Sequence, residues 1–136
     1  MASLNDNSLY RFHPGCEDNP ADIYFLLDCS SSVWIVDFEK QLEFVISLVQ
    51  HLNIHPDATR VGLGVFSDRF LSVIDIGRYR TRESLISAIR ATPYLSGNTY
   101  TGRGLHGLRT QGFRADIARS NAVSYTHLTL PTKTLV

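Results

Sequence analysis

The stretch "ADIYFLLDCSSSVW", residues 21–34, joins a nearly continuous apolar run to one aspartate and three consecutive serines. A short run that is apolar at almost every position is typical of a strand buried on both faces of a parallel sheet. We therefore predict a strand over residues 21–29, with Asp28, Ser30 and Ser32 at its carboxyl end. Ligands bind at that edge of open α/β sheets, so these three side chains are candidates for a binding site.

The residues after the serines have the spacing of an amphipathic helix. Five apolar residues recur at intervals of four, three, four and three: Phe38, Leu42, Val45, Val49 and Leu52. This spacing places them on one helix face and predicts a helix within residues 33–52. Two apolar runs follow, residues 60–67 and 70–76. Only two turn residues separate them, so we predict a β-hairpin.

The last part of the pattern adds two helices. Residues 82–92 are predicted to be helical, with three inward-facing residues: Leu85, Ile86 and Ile89. "SGNTYTG", residues 96–102, is predicted to be a loop, and "GRGLHGLRT", residues 102–110, opens a helix that three glycines weaken. Strands that alternate with helices predict an α/β sheet.

Composition excludes several classes of function. The chain has 136 residues, 43% of them hydrophobic, which is enough for one domain with a core. Thirteen basic residues balance thirteen acidic ones, so charge gives no reason to expect binding to nucleic acid or to an anionic membrane. No apolar run has the length of a membrane span. The start, "MASLNDNSLYRF", lacks the basic and apolar regions of a signal peptide.

The candidate site contains only oxygen ligands. One carboxylate with several hydroxyls suits hard cations such as Mg²⁺. Because serine hydroxyls alone bind a dication weakly, a second loop has to fold over them, and "SGNTYTG" supplies Thr99 and Thr101. A simpler interpretation is that Ser30–Ser32 cap the following helix; Ser32 could both cap and face a metal.

Four stretches together resemble the first part of a von Willebrand factor type A domain: "PADIYFLLDCSSSV", "RVGLGVFSDRF", "SLISAI" and "GNTYTGRGL". The resemblance covers about residues 20–113 and implies an incomplete doubly wound α/β fold, with its first strands and helices only. It also implies a metal-ion-dependent adhesion site (MIDAS). Four residues would be the ligands of Mg²⁺, Mn²⁺ or Ca²⁺, or their water-bridging partners: Asp28, Ser30, Ser32 and Thr99.

In this family the open position of the metal takes an acidic side chain from a protein partner. Within the family, the sequence is most similar to matrix proteins such as matrilins, type VI collagen and shell-matrix proteins. The resemblance therefore implies a secreted or cell-surface parent protein whose partner is collagen or another matrix protein. Trp34, Tyr100 and Arg103 are candidates for a partner-binding rim. For Trp34 we favour packing on the sheet, and for the other two residues solvation in the loop is an equal alternative.

The chain departs from the family pattern at two points. Cys29 stands where Gly or Ser is common and is expected to pack beside the site. The family's third metal-binding loop contributes an Asp that this chain lacks, since Asp116 in "FRADIARS" does not end an apolar strand. Metal binding is therefore expected to be weak or absent. The strand over residues 21–29 would become an exposed edge, and the chain is expected to be unstable or to aggregate.

The final residues, "VSYTHLTLPTKTLV", follow no helix or strand pattern of the preceding chain. They resemble a transposase adapter for DNA sequencing libraries, translated in one frame up to its stop codon. We therefore predict three segments. Residues 1–20 form an N-terminal arm or linker, residues 21–122 a truncated type A domain, and residues 123–136 an artefactual tail.

Two other interpretations of motifs are weaker. Gly102, Gly104 and Gly107 match the dinucleotide-binding fingerprint, which needs a strand directly before it and an acidic residue about 20 positions later. An enzyme could use Asp28 or Ser30 as a nucleophile, but no "GxSxG" elbow or metal-binding histidine spacing is present. We expect no catalytic residues. The alternatives to adhesion are a structural domain without a working metal site and a truncated fragment without function.

Overall fold

The computed structural model describes residues 20–119 and the backbone of residues 123–129. The predicted N-terminal arm lies outside the described residues except for Pro20. Of the predicted tail, only the seven residues of one strand are described.

Strands and helices alternate along the described part of the chain. In chain order the elements are β1 (Ala21–Asp28), α1 (Ile35–Val49), β2 (Thr59–Phe66), β3 (Phe70–Ile74), α2 (Arg82–Arg90), α3 (Thr101–Gly107), a π-helical turn (Leu108–Gly112) and β4 (Val123–Thr129). The predicted hairpin and helices are present, with bounds that differ by a few residues. The predicted α/β fold class is confirmed.

The four strands form one mixed sheet in the order β3-β2-β1-β4. β1 runs parallel to β2, with Asp28 opposite Phe66 at the carboxyl end, and β2 pairs with β3 as an antiparallel hairpin. The carboxyl ends of β1 and β2 therefore meet at one edge of the sheet, from which the serine loop departs.

β1 is not an edge strand. β4 pairs with it in parallel, with Ala21 opposite Val123 and Leu27 opposite Thr129. The expectation that β1 would be left exposed is therefore wrong, as is the view that residues 123–129 follow no strand pattern. The physical reason is that a strand with unpaired backbone groups accepts a neighbouring segment of high β propensity, and "VSYTHLT" is rich in β-branched and aromatic residues.

β1 contributes to a hydrophobic core on each face of the sheet. Phe25 and Leu27 belong to the core under α1 and α2, whereas Tyr24 and Leu26 pack on the other face with Leu108 of the π-helical turn. The prediction of a strand buried on both faces is confirmed, and helical segments cover both faces as in a doubly wound fold.

The two long helices bury the faces that their spacing predicts. In α1, four of the five predicted residues are buried: Phe38, Leu42, Val45 and Val49. The fifth, Leu52, lies beyond the helix end and is partly buried. In α2, Leu85 and Ile89 are buried, and Thr81 Oγ1 caps the helix by accepting from the Ser84 N–H at 3.3 Å.

The glycines of α3 allow the helix to approach the sheet closely. A Cβ atom on Gly104 would lie 2.7 Å from Cγ of the buried Phe66. Within the described residues 91–100, which precede α3, no strand is present. The dinucleotide-binding interpretation therefore lacks the strand it requires, and packing accounts for Gly104.

Candidate metal centre

Asp28 is the last residue of β1, and its side chain is fully buried. Its Oδ1 accepts a hydrogen bond from the Ser30 N–H at 2.9 Å. Its Oδ2 is buried and has no hydrogen-bond partner among the described residues. A buried carboxylate oxygen without a donor destabilises the folded chain unless a cation or another positive group lies beside it.

Three hydroxyl groups, from Ser30, Ser32 and Thr99, form a triangle of hydrogen bonds, and Ser30 is two residues after Asp28 in the chain. The oxygens of Ser30 and Ser32 are 2.7 Å apart, and Ser32 Oγ is 3.0 Å from Thr99 Oγ1. The Thr99 hydroxyl completes the triangle by donating to Ser30 Oγ at 2.7 Å. Each oxygen accepts through two lone pairs, so all three can still face a cation. The structure thus brings together the four residues that the sequence proposed as ligands.

The donor set suits a hard dication. Asp28 supplies the one negative charge, and the three hydroxyls supply neutral oxygens, as Mg²⁺ or Ca²⁺ requires. Zinc sites more often use nitrogen and sulfur ligands. Within the part of the chain that the structure describes, no three His, Cys, Asp or Glu side chains gather as a metal-binding group.

Hydrogen bonds between the two loops bring the hydroxyls together. Both the N–H and the Oγ–H of Ser31 donate to the Gly97 carbonyl, each at 2.8 Å. The hydroxyl of Tyr94 lies 2.5 Å from the carbonyl oxygen of Val33 and 3.2 Å from that of Ser30. The sequence analysis missed Tyr94. The only sequence signal is an aromatic residue just before a polar loop.

The serines do not cap α1. The residue at the cap position is Trp34, and no side-chain hydrogen bond caps this helix. The hydroxyls of Ser30 and Ser32 instead bond to each other and to Thr99. The capping interpretation is therefore wrong, because the turn at Ser30–Val33 places the serines before the helix start.

The candidate rim residues lie beside the triangle in the chain and are exposed. Trp34 is 68% exposed, so the favoured interpretation that it packs on the sheet is wrong. Tyr100 is 44% exposed and follows Thr99 directly. The guanidinium carbon of Arg103 lies 4.6 Å from the centre of the Tyr100 ring, a cation–π contact.

Cys29 packs directly behind the candidate centre. Its side chain is fully buried, and its thiol donates to the Phe66 carbonyl at 3.4 Å. Burial raises the pKa of the Cys29 thiol above its ordinary value. The residue is therefore a neutral packing group beside Asp28, as the sequence suggested.

Other candidates lie outside the centre. Asp116 is exposed and accepts from Arg114 Nε at 3.1 Å, so it does not provide a third metal-binding loop. His51 bonds to the Ser47 carbonyl, and His55 accepts from the Asp57 N–H. In the described residues, no helix combines the length and the hydropathy that crossing a membrane would require.

Comparison with known proteins identifies the family to which this fold belongs. A family profile described as von Willebrand factor type A domain matches residues 22–128. A solved structure of proximal thread matrix protein 1 from the mussel byssus, which has a zinc-occupied MIDAS motif, superposes with a TM-score of 0.68 at 26% identity. It covers 83% of this chain and 29% of that one.

Two curated relatives match the same region. Matrilin-4 of Mus musculus is 37% identical over 97 residues, which are 71% of this chain and 16% of that protein. The collagen alpha-4(VI) chain of Mus musculus is 35% identical over 100 residues, which are 73% of this chain and 4% of that protein. This chain therefore spans less than a fifth of the length of these relatives. With the profile and both relatives in agreement, this chain belongs to the von Willebrand factor type A domain family.

Proposed function

We propose that this domain binds a divalent cation at Asp28, Ser30, Ser32 and Thr99, and through it an acidic side chain of a protein partner. The observation that carries the proposal is the buried Asp28 Oδ2, which has no hydrogen-bond partner among the described residues. Asp28 stands two positions before Ser30, the first residue of the hydroxyl triangle. When bound, a dication there leaves an excess positive charge that attracts a carboxylate.

Each residue has a distinct part in this proposal. Asp28 supplies the negative charge that holds the cation against the end of β1. The hydroxyls of Ser30, Ser32 and Thr99 orient around the cation as neutral oxygens, so they do not cancel the charge that attracts the partner. Tyr100 and Trp34, both exposed, offer apolar contact area around the incoming carboxylate.

The choice of cation and partner rests on chemistry and on the relatives. An oxygen-only set favours Mg²⁺, Mn²⁺ or Ca²⁺, while the mussel protein's zinc indicates that a MIDAS motif also accepts zinc. Collagen or another matrix protein is the proposed partner, because the similar proteins include a collagen chain and a thread matrix protein. The parent protein would then be secreted or at the cell surface.

The proposal involves coordination without catalysis. In the described part of the chain, the Asp28 carboxylate accepts only from the Ser30 N–H, and the Ser30 hydroxyl bonds only to the hydroxyls of Ser32 and Thr99, so no base is placed to activate a nucleophile. A second candidate is a structural domain whose metal site does not work. The single carboxylate favours it, since one negative charge compensates only half of a dication.

Asp28→Asn tests the metal site. Asparagine keeps an acceptor for the Ser30 N–H but removes the charge. We expect Mn²⁺ or Mg²⁺ to raise the Tm of the unsubstituted chain and to leave that of the variant unchanged. In chelator the variant should be at least as stable, because an uncompensated buried charge is gone. Thermal unfolding with and without each ion measures both effects.

The matched control is Asp57→Asn, which removes an equal charge from a side chain that is 93% exposed in the turn before β2, at the opposite edge of the sheet. This variant should respond to the ions as the unsubstituted chain does. Binding to a collagen-coated surface should require the dication and be lost in Asp28→Asn. Binding that persists in chelator, or an equal rise in Tm for Asp28→Asn, would overturn the proposal.

A further inference from the structure

The turn between β2 and β3 holds the loop that carries Thr99. Asp68 Oδ1 accepts a hydrogen bond from the Asn98 N–H at 3.0 Å. The Ser67 carbonyl accepts from the Tyr100 N–H at 3.1 Å. The backbone on both sides of Thr99 is therefore tied to the same turn, which fixes where its hydroxyl can lie.

The Asp68 carboxylate also lies against Gly97. A Cβ atom on Gly97 would be 2.6 Å from Asp68 Oδ2, and the residue has a φ of +96°, which favours glycine. The carbonyl of Gly97 accepts both hydrogen bonds from Ser31. Asp68 thus contacts the peptide segment through which the two loops of the candidate centre are joined.

The hairpin itself does not need this carboxylate. The turn closes through its backbone, with the Ser67 N–H donating to the Arg69 carbonyl at 3.0 Å. The Asp68 carbonyl, which any residue would supply, accepts from Arg103 Nη1 at 2.7 Å. The side chain of Asp68 therefore has contacts only with the Thr99 loop among those described, beyond the turn role that its sequence suggests.

We propose that Asp68 is a positioning residue for the metal centre, acting as a hydrogen-bond acceptor that sets the Thr99 loop against Ser30 and Ser32. This inference rests on the proposed function. Thr99 is exposed, so burial does not hold its loop in place, and its hydroxyl is the only one of the triangle that comes from the second loop. Residues that orient metal ligands in this way typically change metal affinity 10- to 100-fold when removed.

The test compares Asp68→Ala with Asp68→Asn. Asparagine retains an acceptor oxygen for the Asn98 N–H, whereas alanine removes it. The dissociation constant for Mn²⁺ alone is measured from the free ion by electron paramagnetic resonance, and Asp57→Ala serves as the control for loss of one charge. We expect about a 10-fold weaker affinity for Asp68→Ala. Asp68→Asn and Asp57→Ala should stay within about threefold of the unsubstituted chain.

Any of the following results would overturn the inference. Equal affinity in Asp68→Ala would show that the loop does not depend on this residue, and equal losses in both Asp68 variants would show that charge matters instead of positioning. If the Tm of Asp68→Ala in chelator fell so far that partial unfolding explained the weaker Mn²⁺ binding, Asp68 would have a general structural role instead of a positioning role. If the unsubstituted chain binds no Mn²⁺, the proposed function fails, and the positioning role fails with it.

Discussion

The two aspartates of β1, Asp22 and Asp28, are both fully buried but differ in their hydrogen-bond partners. Asp22, at the start of the strand, accepts from Arg60 Nε at 2.8 Å and from Arg60 Nη2 at 2.7 Å. Its Oδ2 also accepts from the Arg119 N–H at 2.7 Å. Asp28, at the end, has an oxygen without a partner among the described residues. Asp22 is therefore a structural carboxylate, while Asp28 is suited to an added cation.

The environment of Asp22 makes a prediction about pH. Burial alone would raise the pKa of Asp22, but the hydrogen bonds and charges of Arg60 and Arg119 outweigh it and leave the pKa below its ordinary value. The ionised form is therefore favoured in the folded chain. Its stabilisation is complete above the unfolded pKa of about 4 and is lost as the pH falls through the lower folded pKa.

Asp22→Asn should lower the free energy of unfolding at pH 7 by about 3 kcal/mol, because the partly buried guanidinium groups of Arg60 and Arg119 lose their counter-charge. The difference from the unsubstituted chain should shrink as the pH falls below about 4, because Asp22 is then protonated in the unfolded chain, and it should disappear below the lower pKa of the folded chain. Urea unfolding at pH 7 and pH 3 measures it. Asp37→Asn is the control, because it removes one charge from a 3.6 Å ion pair with the exposed Lys40, and such a pair contributes little to stability. Equal losses at both pH values would contradict the argument.

At the residue scale, the sequence is sufficient to propose the members of the candidate centre but does not identify the residues that position them. Asp28, Ser30 and Ser32 follow from a local pattern at a strand end, and the resemblance adds Thr99. Tyr94 and Asp68 act through hydrogen bonds to residues 30 or more positions away. The pairing of Asp22 with Arg119 spans 97 positions. No spacing rule reveals such contacts, because they depend on where the folded chain brings distant loops.

At the scale of elements, the glycines of α3 differ in how much space the structure leaves for a Cβ atom. A Cβ on Gly104 would meet Cγ of Phe66 at 2.7 Å and its Cβ at 3.0 Å. These atoms lie near the backbone of a fully buried residue, so they cannot move aside cheaply. A Cβ on Gly102 would have nothing within 4 Å. Packing therefore requires Gly104, and also Gly107, whose Cβ would overlap the side chain of Phe70, whereas it does not require Gly102.

Gly104→Ala should therefore lower the free energy of unfolding by about 1–3 kcal/mol through overpacking. Gly102→Ala, in the same helix, should be neutral or raise it by about 0.5 kcal/mol, because alanine favours helix. Chemical denaturation of the two variants gives both values. If both substitutions had the same effect, helix propensity and not contact with the sheet would explain the glycines.

The periodic elements were predictable because burial alone determines their pattern. The apolar face of α1 follows from its spacing. The hairpin of β2 and β3 follows from two apolar runs with turn residues between them, although three residues, 67–69, and not two separate the strands in the structure. The start of α1 was not predictable. Three serines before a helix are typical of a cap, yet the serine turn is hydrogen-bonded to Tyr94 and Gly97. The cap position is taken by Trp34, whose side chain is exposed.

At the scale of the whole molecule, the sheet depends on a segment that the sequence alone placed outside the domain. Residues 123–129 pair with β1 along seven positions, and the family profile extends to residue 128. Their resemblance to a translated adapter concerns their origin, which the fold does not test. Strand pairing needs only backbone hydrogen bonds and compatible side chains, so a segment of any origin with high β propensity can fill an open position.

Because β4 pairs with β1, we now expect aggregation of a chain that lacks β4 and not of the full chain. A chain ending at residue 122 would leave β1, apolar on both faces, with unpaired backbone groups along one side. We expect it to aggregate or to unfold without cooperativity, while a chain ending at residue 129 should resemble the full one. Light scattering and thermal unfolding distinguish these outcomes. A soluble monomer of residues 1–122 with an unchanged Tm would mean that β4 adds nothing to stability, as expected of an appended segment with no part in the native domain.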